Sequence, residues 1–406
     1  MAAERALSGL TVLEKADMVA GPYCTKLLAG LGAEVIKIEA VGTGDKARTA
    51  PPFLDGVPHP ERSGLFAYLN TDKLSITLNL KTETGRHILE RLIQETDIFV
   101  AAHQSGTMEE LGIEYRRLSQ INPRLIMTSI TPFGMTGPYK DYKGSDLIAN
   151  STGGLAIITP LNAEDPEKPP LKPGGHFADF FIGVIAAGAS LAAVAQRRLS
   201  GTGQHIDLSQ QEAIAYIILW PIMYYNAERH IVRRTDAPRM APRHLIPCKD
   251  GHVWIQIIQP GEAEWQRFCQ WASDADWATN ELFKVEVSRA QYWDALKPLL
   301  SDWAMSRTKE DFVKASHDYH LTFEPLNPIE EVVNHRHLAA RDFFVEIEHP
   351  EIGKVKYPGP PYKLSQTPWQ VTRAAPRLGE HNEEIYVKRL GFSHQELVQM
   401  RAGGVI

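Results

Sequence analysis

Over the first half of the chain, short apolar runs alternate with amphipathic stretches, and glycine or proline separates them. The runs at 11–14, 34–38, 98–101, 125–130 and 205–208 read as strands. Between them, 22–31 reads as a helix with Pro22 near its first turn and Gly32 as its stop, and 83–95 as a second. A longer run of small and apolar residues, 180–195, predicts one helix buried against the strands, and 212–225 another that Pro221 should kink. Strands alternating with helices predict a parallel sheet covered on both faces.

Past residue 225 the texture changes. An irregular, Pro- and Arg-bearing segment at 236–244 leads into a strand at 252–258. Trp-bearing amphipathic helices follow at 262–272, 289–303 and 309–317, the last opened by the capping pattern Thr308 to Asp311. Then come a helix at 329–342, a hairpin of 344–348 with 354–357, a Pro-rich 358–361, and two terminal helices, the second opened by Ser393 and Glu396. A chain of 406 residues exceeds what one core usually organises. The pattern implies a large Rossmann-like α/β domain over 1–224 and a smaller α+β domain over 225–325.

Composition narrows the function classes. With 43% hydrophobic and 23% charged residues, the chain has an ordinary globular balance. Its net charge of −6 is spread without a basic block, which argues against nucleic acid as a partner. Cys24, Cys248 and Cys269 form no short-spaced pair, so neither a disulfide framework nor a metal site is expected. The first residues lack the apolar core of a signal peptide, and the run at 180–195 is shorter than the ~20 residues of a membrane span. The expectation is a cytoplasmic protein with no membrane contact.

One carboxylate stands out. Asp179 follows Gly174, Gly175 and His176 at the mouth of the long helix. Taken alone it reads first as a helix cap, and otherwise as a nucleophile that flexible backbone lets a substrate approach. His176 lies three residues earlier, as an acid/base partner or a neutral hydrogen-bond partner. Lys73, Lys143 and Arg48 fall in loops at the expected ligand edge of the sheet and together offer charge for a phosphate-bearing ligand. Glu39 follows the second strand as a ribose-binding acid would, but the turn before Pro22 has one glycine where a dinucleotide turn needs three, so NAD is not expected. The motifs of P-loops, serine esterases and zinc proteases are missing too.

Further segments extend the picture. Leu7 to Leu13, Ala20-Gly21-Pro22, Leu31 to Glu39, Asn122 to Ile126, Phe133 to Pro138, Ala178-Asp179, Gly201 to Gln204, Val345 to Gly353, Tyr357 to Pro361 and Leu378 to His381 stand in the order found in family III CoA-transferases. The chain resembles that family, which also holds 2-methylacyl-CoA racemases. The resemblance implies that Asp179 attacks an acyl-CoA thioester to give a mixed anhydride and then an aspartyl-CoA thioester. It maps CoA binding onto Lys73, Gln104, Leu111 and Lys143. It implies that 326–406 returns to the large domain and that two chains interlock as a dimer, or pair with a related subunit. Racemases of the family carry a His where this chain has Ser145 and a Glu near Gln259, so racemisation becomes the alternative, beside a CoA-binding subunit of a heteromeric transferase. Ala102 and Gln104 replace an Asn and an Arg, which reshapes phosphate contacts. No glycine-rich lid is present, which favours a carboxylic or dicarboxylic acid larger than formate or oxalate.

Overall fold

The computed structural model describes residues 5–160, 167–234, 242–257 and 261–406. Six strands form one parallel sheet: β1 (Thr11–Lys15), β2 (Glu34–Glu39), β3 (Lys73–Thr77), β4 (Ile98–Ala102), β5 (Ile126–Thr131) and β6 (His205–Ser209). Their order is β3-β2-β1-β4-β5-β6. The chain winds outward from β1 to β3, returns, and winds the other way from β4 to β6. The two halves diverge between β1 and β4, where such a sheet opens a crevice at its carboxyl edge.

The helices that follow its strands up to residue 228 are α1 (Ala20–Gly30), α2 (Gly64–Leu69), α3 (Glu83–Ile93), α4 (Thr107–Glu110), α5 (Tyr115–Ile121), α6 (Asp146–Thr152), α7 (Phe177–Ser200), α8 (Gln210–Ile217) and α9 (Leu219–Glu228). Neighbouring strand residues point to opposite faces. Val12, Ile98 and Ile126 pack under α1 and α7 on one face. Leu13, Phe99 and Met127 pack under α3 and the C-terminal Tyr386, Met400 and Ile406 on the other. β3 was not foreseen, because its five residues KLSIT mix polar and apolar types, yet all are buried. The segment foreseen as one helix at 212–225 breaks at Ile218, with Pro221 in the first turn of α9.

α1 and α7 touch through small residues. A Cβ on Gly183 would fall 2.8 Å from the Ala20 carbonyl oxygen and 3.1 Å from the Tyr23 ring. That contact sets how close the two helix starts come, and α7 is long and apolar enough to cross a membrane by length and composition, with under half of its most apolar stretch buried (44%).

The chain divides into two compact units, one of 1–160, 168–233 and 342–406, the other of 161–167 and 234–341. The second unit starts and ends later than the texture at 225 and 325 suggests, since α9 stays with the sheet. It holds an antiparallel sheet of β7 (Arg243–Cys248), β8 (Gly251–Gln256) and β9 (Thr322–Pro325) with helices α10 (Gly261–Trp271), α11 (Glu286–Gln291), α12 (Trp293–Ala304), α13 (Lys309–Tyr319), α14 (Ile329–Val333) and α15 (Arg336–Ala340). Its core is a nest of edge-on aromatics, Phe268 against Trp303 and Phe323, and Trp271 against Phe312. Thr308 and Asp311 cap α13 reciprocally. Residues 236–241 of the irregular segment, and Gln259, lie outside the described residues. The hairpin of β10 (Phe344–His349) and β11 (Gly353–Pro358) and the last helix, α16 (His394–Ala402), belong to the first unit.

Candidate active site

A cleft of about 540 Å3 opens at the carboxyl edge between β1 and β4. Its walls are the loop after β1 (Asp17, Met18), the start of α1, the loop after β4 (Ala102, His103, Gln104), the turn at 144–147 and the approach to α7. Asp179 reaches it from the first turn of α7, with its side chain 14% exposed.

Asp179 is not a helix cap. The N-cap position is His176, with φ −104° and ψ 48°, and its side chain caps nothing. The free amides of the first turn are taken from another helix: Asp146 Oδ1 accepts from Ala178 N at 3.0 Å and from Asp179 N at 3.4 Å. Asp146 Oδ2 is paired with Lys172 Nζ at 2.7 Å. That ammonium also donates to the carbonyls of Pro173 and Gly175 at 3.1 and 2.5 Å. The Asp179 carboxylate is therefore released into the cleft, where His176 Nδ1 lies 3.2 Å from Oδ2.

Burial pushes the Asp179 carboxyl above the usual aspartate range, and the Asp146 charge adds to it; His176 and Lys172 oppose without cancelling. An anion that is under-solvated and partly unpaired is a more reactive one. Gly174 and Gly175 leave open space beside it, and Gly175 takes φ +65°, a conformation that favours glycine.

The phosphate lysine expected at 73 stands elsewhere. Lys73 opens β3, is fully buried, and spends its three donors on Glu14 Oε2 (2.9 Å), the Pro22 carbonyl (2.8 Å) and Asn70 Oδ1 (2.9 Å). Burial pulls its ammonium down to about 8. Arg48 is likewise internal: it forks onto Glu39 at 2.7 and 2.8 Å, pairs with Glu61 at 2.6 Å and lies over the Phe66 ring. Glu39 is thereby occupied as well, and does not present itself to a ribose. Both cations brace the wall instead. Lys37 bonds Glu14 and Asp45 at 2.6 Å each, and Asp45 Oδ1 accepts from Met18 N at 2.9 Å, holding that residue at φ 66° on the cleft rim.

Among the other expected residues, Gln104 lines the cleft and donates to the Tyr142 carbonyl. Leu111 lines a smaller cavity of about 340 Å3 at the same sheet edge. Lys143 is exposed next to the cleft residue Gly144. Sequence reasoning missed Lys15 and Lys81, which line that smaller cavity at the end of β1 and past the end of β3. Recognising β3 would have found Lys81, since it places the carboxyl edge after 77 rather than before 73. Asp146 and Lys172 carried no local signal, because a cap lent by a distant helix has no spacing rule.

Residues 7–382 match the family model of CoA-transferase family III. The chain belongs to that family. It is 31% identical over 404 residues to a succinyl-CoA–D-citramalate CoA-transferase of Chloroflexus aurantiacus, covering 99% of this chain and 98% of the relative. It is 32% identical over 427 residues to a formyl-CoA:oxalate CoA-transferase of Streptomyces avermitilis, covering 99% and 100%. A solved CAIB/BAIF family protein from Brucella suis superposes with a TM-score of 0.84 at 29% identity, over 95% of this chain and 99% of that one. The family III chain is accordingly an enzyme that acts on CoA thioesters.

Proposed function

We propose that this transferase moves CoA from an acyl-CoA to a free carboxylic acid with Asp179 as the covalent carrier. The observation that carries the reading is the uncapped, mostly buried Asp179 carboxylate standing in the cleft at the sheet's switch point. An Asp179 oxygen attacks the thioester carbonyl, the C–S bond breaks, and CoA thiolate leaves a mixed anhydride. The thiolate attacks the aspartyl carbonyl, releasing the donor acid and forming an aspartyl-CoA thioester. The acceptor carboxylate then attacks that carbonyl, and the thiolate takes the acceptor acyl group from the second anhydride, which restores Asp179. No water and no net proton enter the cycle, so water is to be kept from the anhydride.

Gln104, Leu111 and Lys143 mark a path for CoA along the carboxyl edge, and Lys15 and Lys81 are better placed than Lys73 to meet its phosphates. The names of the relatives point to short dicarboxylic acids and their CoA esters as the first substrates to try. Transfer is favoured over racemisation: Ser145, where a racemase of the family has a base, spends its hydroxyl accepting from Ile148 N as the cap of α6. α9 buries none of its residues and exposes Leu219, Trp220, Met223 and Tyr225, which supports a partner chain packing there as in an interlocked dimer.

The test is to incubate the purified single chain with succinyl-CoA and a panel of acids and to identify new CoA esters by mass spectrometry. The expected result is transfer by the wild type and loss of about 10⁴-fold or more in Asp179→Ala with the fold unchanged. Undiminished transfer by the variant would refute the mechanism.

A further inference from the structure

We infer that Asp146 and Lys172 are positioning residues for the nucleophile: Asp146 caps the long helix in place of Asp179, and Lys172 holds that cap and the glycine loop together. The inference rests on the reading of Asp179 as the covalent carrier. It is carried by six contacts. Asp146 Oδ1 takes both first-turn amides, Ala178 N and Asp179 N. Asp146 Oδ2 takes Lys172 Nζ at 2.7 Å, and Lys172 gives its remaining donors to Pro173 O and Gly175 O. Asn150 Nδ2 fixes the other end of the cap by donating to Asp146 O at 2.8 Å.

The arrangement solves a problem that covalent catalysis sets. An acidic side chain in the first turn of a helix ordinarily serves the free amides and the positive end of the dipole. If Asp179 did so, each acylation would remove its charge and withdraw the cap. With Asp146 as the cap, the helix start is satisfied in the free, anhydride and thioester states alike. Lys172 pairs with Asp146 at 2.7 Å and ties the loop 173–175 to the same point, so the cap, the loop and the nucleophile keep one geometry.

The charges facing Asp179 are Asp146 on α6, Lys172 on the loop before α7, and His176 at the start of α7. Asp17, Lys46 and His103 line the same cleft from the β1 side and the β4 loop. Removing the anion and removing the cation should therefore move the titration of Asp179 in opposite directions, which a purely structural role would not do.

The experiment measures two quantities against pH in Asp146→Asn, Lys172→Met, Lys172→Arg and the double variant Asp146→Asn/Lys172→Met. One is the acid limb of kcat. The other is the rate at which a water-soluble carbodiimide labels Asp179, located by mass spectrometry, which reads the carboxyl whether or not it is a nucleophile. Asn keeps an oxygen acceptor for the amides, so that variant remains folded enough to titrate. Asp146→Asn is expected to move both curves to lower pH by about one unit and Lys172→Met to move them up by a similar amount, with Lys172→Arg at the wild-type position and the double variant between the two. Curves that stay put, or that move the same way in both single variants, overturn the inference. Labelling curves that separate as expected while no variant, wild type included, transfers CoA uphold the positioning and sink the covalent reading instead.

Discussion

Two buried carboxylates, Glu14 inside the sheet on β1 and Asp179 in the cleft, have opposite fates. Burial would raise both. At Glu14 it is outweighed: Lys37 and Lys73 bond one oxygen each at 2.6 and 2.9 Å, Thr25 donates at 2.6 Å, and the carboxyl is held down at about 2. At Asp179 burial wins, because the ammonium nearby, Lys172, is pledged to Asp146, and the carboxyl sits high. The lesson is that burial of a charge does not mark function; the number of partners left over does. The over-satisfied Glu14 braces the fold, and the under-satisfied Asp179 is the one the proposed mechanism uses.

Breaking the architectural side should have the largest effect. Lys73→Met leaves Glu14 buried with one cation fewer and frees the Pro22 carbonyl, so unfolding by denaturant is expected to show a loss of about 3–5 kcal/mol. A loss in CoA affinity with unchanged stability would instead restore Lys73 as a ligand residue. The pH dependence has a definite sign. Glu14 has a folded value near 2, below its unfolded one, so its contribution is present above the ordinary carboxylate range and is lost as pH falls toward 2.

Next in size is the helix contact that brings the wall and Asp179 together. Gly183→Ala places a methyl against Ala20 O and the Tyr23 ring, and a destabilisation of about 1–3 kcal/mol is expected by thermal or chemical unfolding. Because both helix starts border the cleft, kcat should fall along with it; full activity at reduced stability would show that the spacing of α1 and α7 does not set the site.

The sequence carried β1, β2, β4, β5 and β6, and the alternation of helices and strands was enough to predict the parallel sheet. It failed at β3, whose lysine and serine are buried with Glu14 on β1 and Glu39 on the adjacent β2 as their partners. The same failure made Lys73 a loop cation offered to a phosphate rather than a buried partner of Glu14. Asp179 was visible as a residue, but its state was not: local rules read an acid in a first turn as a cap, and only the tertiary approach of Asp146 shows it free. Lys81 was hidden because β3 was.

The smallest effect tests the chemical side without any substrate. A carboxyl whose folded value is raised binds its proton more tightly in the native state, so its stabilising contribution is lost as pH rises through that value and a penalty remains at neutral pH. Asp179→Asn is therefore expected to raise stability at pH 7 by about 0.5–2 kcal/mol, read as a higher thermal midpoint, with the gain vanishing at acid pH. A lower midpoint at pH 7 would mean that the charge is well served and the contrast with Glu14 is false.

The central claim is covalent, and one trapping experiment reads it directly. The wild-type enzyme is mixed with acyl-CoA and hydroxylamine, digested, and its peptides are weighed. The account predicts a hydroxamate on Asp179 that forms only when acyl-CoA is present. An unmodified Asp179 under turnover, or a hydroxamate on a different side chain, would contradict it.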